Sequence, residues 1–426
     1  MDSVARGTLI NLVTRLAGVA LVLAITTVTA RIGTETQGAF ALFTSVEGVL
    51  LALFSGFGIA LARRVSHHGE QPRALVAATV LACVGLGLVA SMVLWMLSTL
   101  GSSSYQWLWL LALGAPALLL APPLQGLWLG EGRMAPMALL TLAPPLLTLV
   151  LMGGAALVAA TTLPAVLSSW VVAKVAVGVL VVGLLWRGAR LAPPDFLALA
   201  REGRFIATIG ATNLVGLLNY RVGLFVIERT LGLSATGVYS IAIVVAELLW
   251  FVSGSLTQAV YGRIGTPDRA QAAATTVRVV QLSVAALLLA APLLWGLARV
   301  LVPWVLGPAY AASLPVMALL LPGVLLFGGA SALSAYFTNH AGTPQVPAQV
   351  AATSLAINTT LSLLLVPHLG MAGAAVAASV SYTTSVLLLA WRFARHAGLP
   401  LRQVLLPGAQ LMADLRGVAW RRGGRA

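Results

Sequence analysis

Runs of about 20 consecutive apolar or small residues recur from one end of this chain to the other, and no other feature restricts its folding as tightly. Val76 to Leu97 and Ser168 to Trp186 are two of them. At 1.5 Å per residue, a helix of about 20 residues crosses a hydrocarbon core of about 30 Å. Lipid offers no partner to an unpaired backbone N–H or C=O, so each run is predicted to be a spanning α-helix. A membrane barrel needs alternating segments of about ten residues, and the sequence shows none. Composition agrees: 59% of the 426 residues are hydrophobic and 8% charged, with a mean hydropathy of +0.97, where a soluble domain has about 25% charged.

Cutting at charged, Gly- and Pro-containing breaks predicts an all-α polytopic membrane protein of about twelve transmembrane helices. The spans fall near 7–30, 37–62, 74–100, 105–130, 137–160, 163–187, 205–230, 236–259, 272–299, 311–336, 345–366 and 371–392. The first run is longer than a signal-peptide core and leads directly into a second span, so it is expected to be retained.

Charges set the expected orientation. Arg6, Arg63, Arg64, Arg73, Arg133, Arg187, Arg190, Arg201, Arg204, Arg263, Arg269 and a basic tail from Arg392 fall on one side, against little beyond Arg31, Arg229 and Arg299 on the other. The positive-inside rule then places both termini in the cytoplasm. The tail, with Arg402, Arg416, Arg421, Arg422 and Arg425, reads either as a plain topology anchor or as a polybasic segment drawn to anionic membrane lipids. A net charge of +14 does not imply nucleic acid here, because the cations are scattered between apolar runs and no nucleic-acid motif accompanies them. Cys83 is the single cysteine and sits mid-span, which excludes a disulfide framework or a thiolate cluster. His67, His68, His340, His368 and His396 are too dispersed for a metal site, and no cofactor is expected.

An internal repeat is visible. Arg31-Ile32-Gly33 with Gly38-Ala39-Phe40 is echoed by Thr230-Leu231-Gly232 with Gly237-Val238-Tyr239 at an offset of 199, which also aligns Arg64 with Arg263. An even number of spans per half makes this a parallel 6+6 repeat. The expected organisation is an N-terminal six-helix lobe over 1–190, a cytoplasmic linker over 191–204, a C-terminal six-helix lobe over 205–396 and a basic tail over 397–426. Within the linker, Pro193-Pro194-Asp195 is read as a helix start, and Phe196, Leu197, Leu199 and Phe205 as a short interfacial amphipathic helix.

The two Gly-x-aromatic turns, together with Leu306-Gly307-Pro308-Ala309-Tyr310, Leu320-Leu321-Pro322-Gly323 and the segment from Asn358 through Val366-Pro367-His368-Leu369-Gly370 to Ala375, resemble the polysaccharide (Wzx-like) flippases of the multidrug and oligosaccharidyl-lipid exporter superfamily. The resemblance covers nearly the whole chain. It implies two lobes in a MATE-like V around a central cavity, and flipping of an undecaprenyl-pyrophosphate-linked oligosaccharide across the bacterial inner membrane for cell-surface polysaccharide or lipopolysaccharide assembly. A polysaccharide polymerase or glycosyltransferases are then the implied partners. The peptidoglycan-precursor branch is similar but normally carries two further spans.

Charges inside spans are costly in lipid and mark functional candidates. Asn11 and Arg15 share one face of the first span; Asn213, Tyr220, Arg221 and Glu228 form a stripe on the seventh. Lys174 stands in the sixth, and Glu47 and Glu247 in the second and eighth. Asn11, Arg15, Lys174, Asn213, Tyr220 and Arg221 are candidates for substrate contact, with guanidinium suited to a pyrophosphate. Glu47 and Glu247 are candidates for proton or ion coupling. The competing reading is internal pairing, Arg221 with Glu247 or Arg15 with Glu47, while Glu228 lies near enough to the outer interface to snorkel or pair locally. Tyr105, Trp107, Trp109, Trp186 and Trp304 near span ends read as interfacial belts.

Short external loops almost free of Asp, Glu and His argue against a membrane-embedded glycosyltransferase, polymerase or ligase, so no catalytic residue is expected. A multidrug or cation antiporter of the same superfamily shares the architecture but is expected to present an acidic cavity. A scaffold that moves nothing is the third alternative.

Overall fold

The computed structural model describes residues 3–68, 73–157, 162–187 and 192–406. Arg190, Arg416, Arg421, Arg422 and Arg425 lie outside these, as do the side chains of Arg6, Asn11, His67, His68, Trp186 and Arg187. The order is α1 (Ser3–Ile32), α2 (Thr34–His68), α3 (Arg73–Leu100), α4 (Leu108–Gly130), α5 (Met134–Leu157) and α6 (Leu163–Arg187), then α7 (196–231), α8 (233–259), α9 (Arg269–Leu301), α10 (Pro308–His340), α11 (Gln345–Leu369) and α12 (Met371–Ala397). Among the described residues, eleven helical stretches are long and apolar enough to cross a membrane. The seventh, Phe196–Ala259, runs for 64 residues, more than twice the length that one crossing needs. It breaks at Gly232, where φ is 82° and ψ −178°, a conformation open only to glycine. That stretch is long enough for two passes, one on each side of Gly232, which accords with the all-α architecture of about twelve spans.

The start of α7 differs from expectation. No separate amphipathic helix stands at 196–205, because the helix runs unbroken from Phe196 into the span. Asp195 Oδ1 accepts from Ala198 N at 2.9 Å, which supports the start, and Glu202 pairs with Arg64 at 2.7 Å, which neutralises a carboxylate that would otherwise interrupt it. A second cap illustrates the same chemistry: Asp268 Oδ1 accepts from Ala270 N and Gln271 N at the head of α9. Asp268→Ala is expected to lower stability by about 1 kcal/mol, read as a lower unfolding midpoint of the detergent-solubilised protein.

The chain divides into two compact units. The first comprises Met1–Leu218 with Gly232–Gly237, and the second Asn219–Leu231 with Val238–Ala426. In the first, α1 packs on α5, α5 on α6, α6 on α4, and α4 on both α2 and α3. Ile25, Leu111, Leu119 and Leu167 are fully buried in its core. In the second, α12 packs on α10 and α11, and α9 on α8 and α10, around Val280, Leu333, Tyr336 and Phe393. The described start of the tail belongs to this core: Val404 is buried, and Gln281 Nε2 donates to the carbonyls of Gln403 and Leu406 at 2.7 and 2.8 Å.

The two repeated glycine turns meet within the first unit. A Cβ added to Gly38 would fall 1.9 Å from the Leu233 carbonyl oxygen, and one added to Gly237 would fall 2.0 Å from that of Thr34. Thr34 and Ser234 share a hydroxyl–hydroxyl hydrogen bond of 2.8 Å beside them. Close backbone approach through small residues is how membrane helices gain packing contact where lipid supplies no hydrophobic drive.

Candidate functional site

Among the described residues, each unit holds an intramembrane acid–base pair, Glu47 with Lys174 in the first and Glu247 with Arg221 in the second. In the first, Glu47 sits on α2 with 2% of its surface exposed. Lys174 Nζ of α6 meets its Oε1 at 2.5 Å, and Trp170 Nε1 donates to its Oε2 at 2.6 Å. Residues 170 and 174 are one helical turn apart, so α6 presents both donors on one face. The same spacing lays the Lys174 ammonium over the Trp170 ring, 4.0 Å from its centroid, and Phe40 packs edge-on to that ring. A charge-assisted bond, an indole donor and a cation–π contact together satisfy an ion pair that lipid would reject.

The sequence reading offered Arg15 as the partner of Glu47, and the structure overturns that pairing. Lys174 occupies the role, from 127 positions downstream. Arg15 instead stands on the open face of α1, next to the exposed Leu16, while Thr14 and Ile25 face the core. No ion pair joins Arg15 to any described residue. Asn213, another predicted contact, belongs to the first unit, where its Nδ2 donates to Ser55 Oγ at 2.7 Å.

In the second unit the expected pairing of Arg221 with Glu247 is present. Arg221 Nη1 and Nη2 reach the two carboxylate oxygens at 3.0 and 3.3 Å, a two-pronged geometry open to arginine alone. Glu247 lines one pocket with Tyr220 of α7, Trp250 of α8 and Tyr382 of α12, and Phe327 of α10 joins these rings in a cluster with centroids 5.1 to 6.1 Å apart. Trp250 Nε1 donates to the Val324 carbonyl at 3.2 Å, which fixes the ring. Tyr239 closes the side next to Glu247. The space left among these groups is about 10 Å³, too little for more than one water, so the site is tightly filled.

One residue before Tyr220, the buried Asn219 ties α7 to α11. Its carbonyl accepts from Asn358 Nδ2 at 2.7 Å, and its side-chain oxygen accepts from Ser354 Oγ at 3.2 Å. Glu228, nine residues further on, is 5% exposed and does not snorkel outward. The sequence reading missed Trp170, Asn219, Trp250, Phe327, Ser354 and Tyr382. Trp170 carried a usable signal, being a mid-span Trp one turn before a mid-span Lys; the rest come together only through tertiary packing. No cluster of three or more His, Cys, Asp or Glu side chains that would suit a metal occurs among the described residues.

No protein-family model matches the chain, and no curated protein matches it by sequence. Solved structures do. An inward-facing multidrug resistance MATE family transporter of the MOP superfamily superposes with a TM-score of 0.73 at 14% identity, over 89% of this chain and 94% of that one. The lipid II flippase MurJ, in an inward closed conformation, gives 0.67 at 11% identity, over 94% and 89%. The MATE multidrug transporter DinF-BH in complex with R6G gives 0.67 at 14% identity, over 93% and 96%. The fold is therefore the one that these transporters and this flippase share.

Proposed function

We propose that this protein flips an anionic, lipid-linked cargo across a bacterial inner membrane, with an undecaprenyl-pyrophosphate-linked oligosaccharide as the substrate and both termini in the cytoplasm. The observation that carries the reading is the disposition of charge. Glu47 and Glu247 are each held by a cation of their own unit and the buried Glu228 is not without a partner, whereas Arg15 stands exposed without an ion pair among the described residues. The uncommitted intramembrane charge is positive, which suits a pyrophosphate and repels a cationic drug. A fold shared with a lipid II flippase supports the same direction, and a polymerase or glycosyltransferases are the natural partners in such a process.

Arg15 is the decisive test. Arg15→Glu is expected to slow flipping by about tenfold or more, the scale of one lost charge-assisted contact, seen as lipid-linked oligosaccharide accumulating on the cytoplasmic face at normal protein levels. Normal flipping in that variant removes the basis of the proposal.

One observation favours a second reading, a multidrug or cation antiporter. A carboxylate beside four aromatic rings is the chemistry that receives an organic cation, and Glu247 has that setting once Arg221 releases it. The readings separate cleanly: cation efflux lost in Glu247→Gln but retained in Arg15→Glu supports the antiporter.

A further inference from the structure

We propose that the first unit carries a binding site for an anionic phospholipid, separate from the intramembrane charge pairs, with an acyl chain in a groove between α2, α3 and the head of α7 and the phosphate on the arginines that flank it. The groove has a volume of about 490 Å³ and is apolar throughout, lined among others by Phe54 and Phe57 of α2, Leu86 of α3, and Phe196, Leu199 and Gly203 of α7. It is open rather than sealed: Leu53, Leu86 and Phe196 are 44%, 44% and 53% exposed. From Phe196 to Ala207, the helix that forms one wall rises about 16 Å, roughly half of a 30 Å hydrocarbon core and so the reach of one leaflet's acyl chain. A long polyprenyl tail would overrun it.

Charge at the rim identifies the occupant. The described residues near the groove in sequence include five arginines, Arg63 and Arg64 on α2 beyond Phe57, Arg73 at the start of α3, and Arg201 and Arg204 within the α7 wall itself, against two carboxylates, Asp195 and Glu202. Both carboxylates are engaged, Glu202 with Arg64 and Asp195 with the helix start. Arg63 lies exposed over the Phe205 ring at 5.0 Å, and Arg201 and Arg204 are exposed on α7 beside the lining positions Ala200 and Gly203. An apolar trough one leaflet deep under an excess of guanidinium matches a lipid with a phosphate and a net negative head, which bidentate arginine contacts would hold.

Glycine makes the test specific. A Cβ at Gly203 meets nothing within 4 Å, so Gly203→Phe fills the groove from its wall without touching the backbone packing. The full chain, stripped of lipid in detergent, is titrated with phosphatidylglycerol or phosphatidylcholine and bound lipid is counted by native mass spectrometry. Wild type is expected to retain phosphatidylglycerol about tenfold better than phosphatidylcholine, and Arg201→Gln with Arg204→Gln to erase that preference. Gly203→Phe is expected to lose both lipids while its lipid-free unfolding midpoint is unchanged. Independently of any variant, a phosphatidylglycerol with a diazirine on its acyl chain is expected to crosslink wild type at α2, α3 and the head of α7. Crosslinks confined elsewhere, equal retention of the two lipids by wild type, or displacement of phosphatidylglycerol by a polyprenyl pyrophosphate would each overturn the assignment, the last by making the groove a cargo site.

Discussion

Replacing Lys174 with methionine is expected to destabilise the protein by about 3 kcal/mol or more, because it strands Glu47 as an unpaired buried charge. Glu47 is almost wholly enclosed, with the Trp170 indole left to donate to it. The double variant Glu47→Gln/Lys174→Met removes both charges and is expected to recover most of the loss seen in Lys174→Met, since a pair that is lost together leaves nothing uncompensated. The exposed pair of Arg133 and Glu131 supplies the contrast: at 48% and 21% side-chain exposure, its removal is expected to change stability by less than about 1 kcal/mol. Unfolding midpoints of the purified variants, read in one detergent, decide the matter; a double-variant loss equal to the sum of the Glu47→Gln and Lys174→Met losses would mean that the pair is not coupled. The same variants also address function. If the double variant folds and flips normally, Glu47 and Lys174 are structural, and the coupling role of Glu47 falls away.

Charges within apolar runs were legible because lipid leaves so few reasons for their presence. Lys174, Arg221, Glu47 and Glu247 were all identifiable in this way, and Arg221 with Glu247 even as a pair, because α7 and α8 are neighbours along the chain. The Glu47 partner was not legible. Its ammonium arrives from α6, and nothing in the spacing of residues on α2 separates Lys174 from Arg15. Periodicity also says which face of a helix is apolar but not which helix lies opposite, so the ring cluster around Tyr220 stayed hidden although each ring was visible in the sequence. The head of α7 was misread for a different reason. Arg201, Glu202, Gly203 and Arg204 interrupt the apolar pattern, yet a glycine inside a helix costs only about 1 kcal/mol, and the bond from Arg64 to Glu202 offsets the charge that made the segment resemble a linker.

Gly38 and Gly237 are where the repeat in the sequence becomes a contact in space, and substitution there is expected to have the other large effect. Gly38→Ala places a methyl group 1.9 Å from the Leu233 carbonyl oxygen, and Gly237→Ala places one 2.0 Å from that of Thr34. Both obstacles are backbone, which cannot swing aside as a long side chain can, so the turns must separate. Overpacking against side chains costs about 1–3 kcal/mol; against paired backbone the loss is expected at the top of that range or above. Separation also breaks the bond between Thr34 and Ser234 and opens the packing that small residues allow. The diagnostic quantity is the coupling. Once either methyl group has forced the turns apart, the second meets no obstacle, so Gly38→Ala/Gly237→Ala is expected to lose little more than the worse single variant, a departure from additivity of about 2 kcal/mol or more. Additive losses in a thermal-unfolding cycle would show that the two glycines act separately and that the turns do not meet as described.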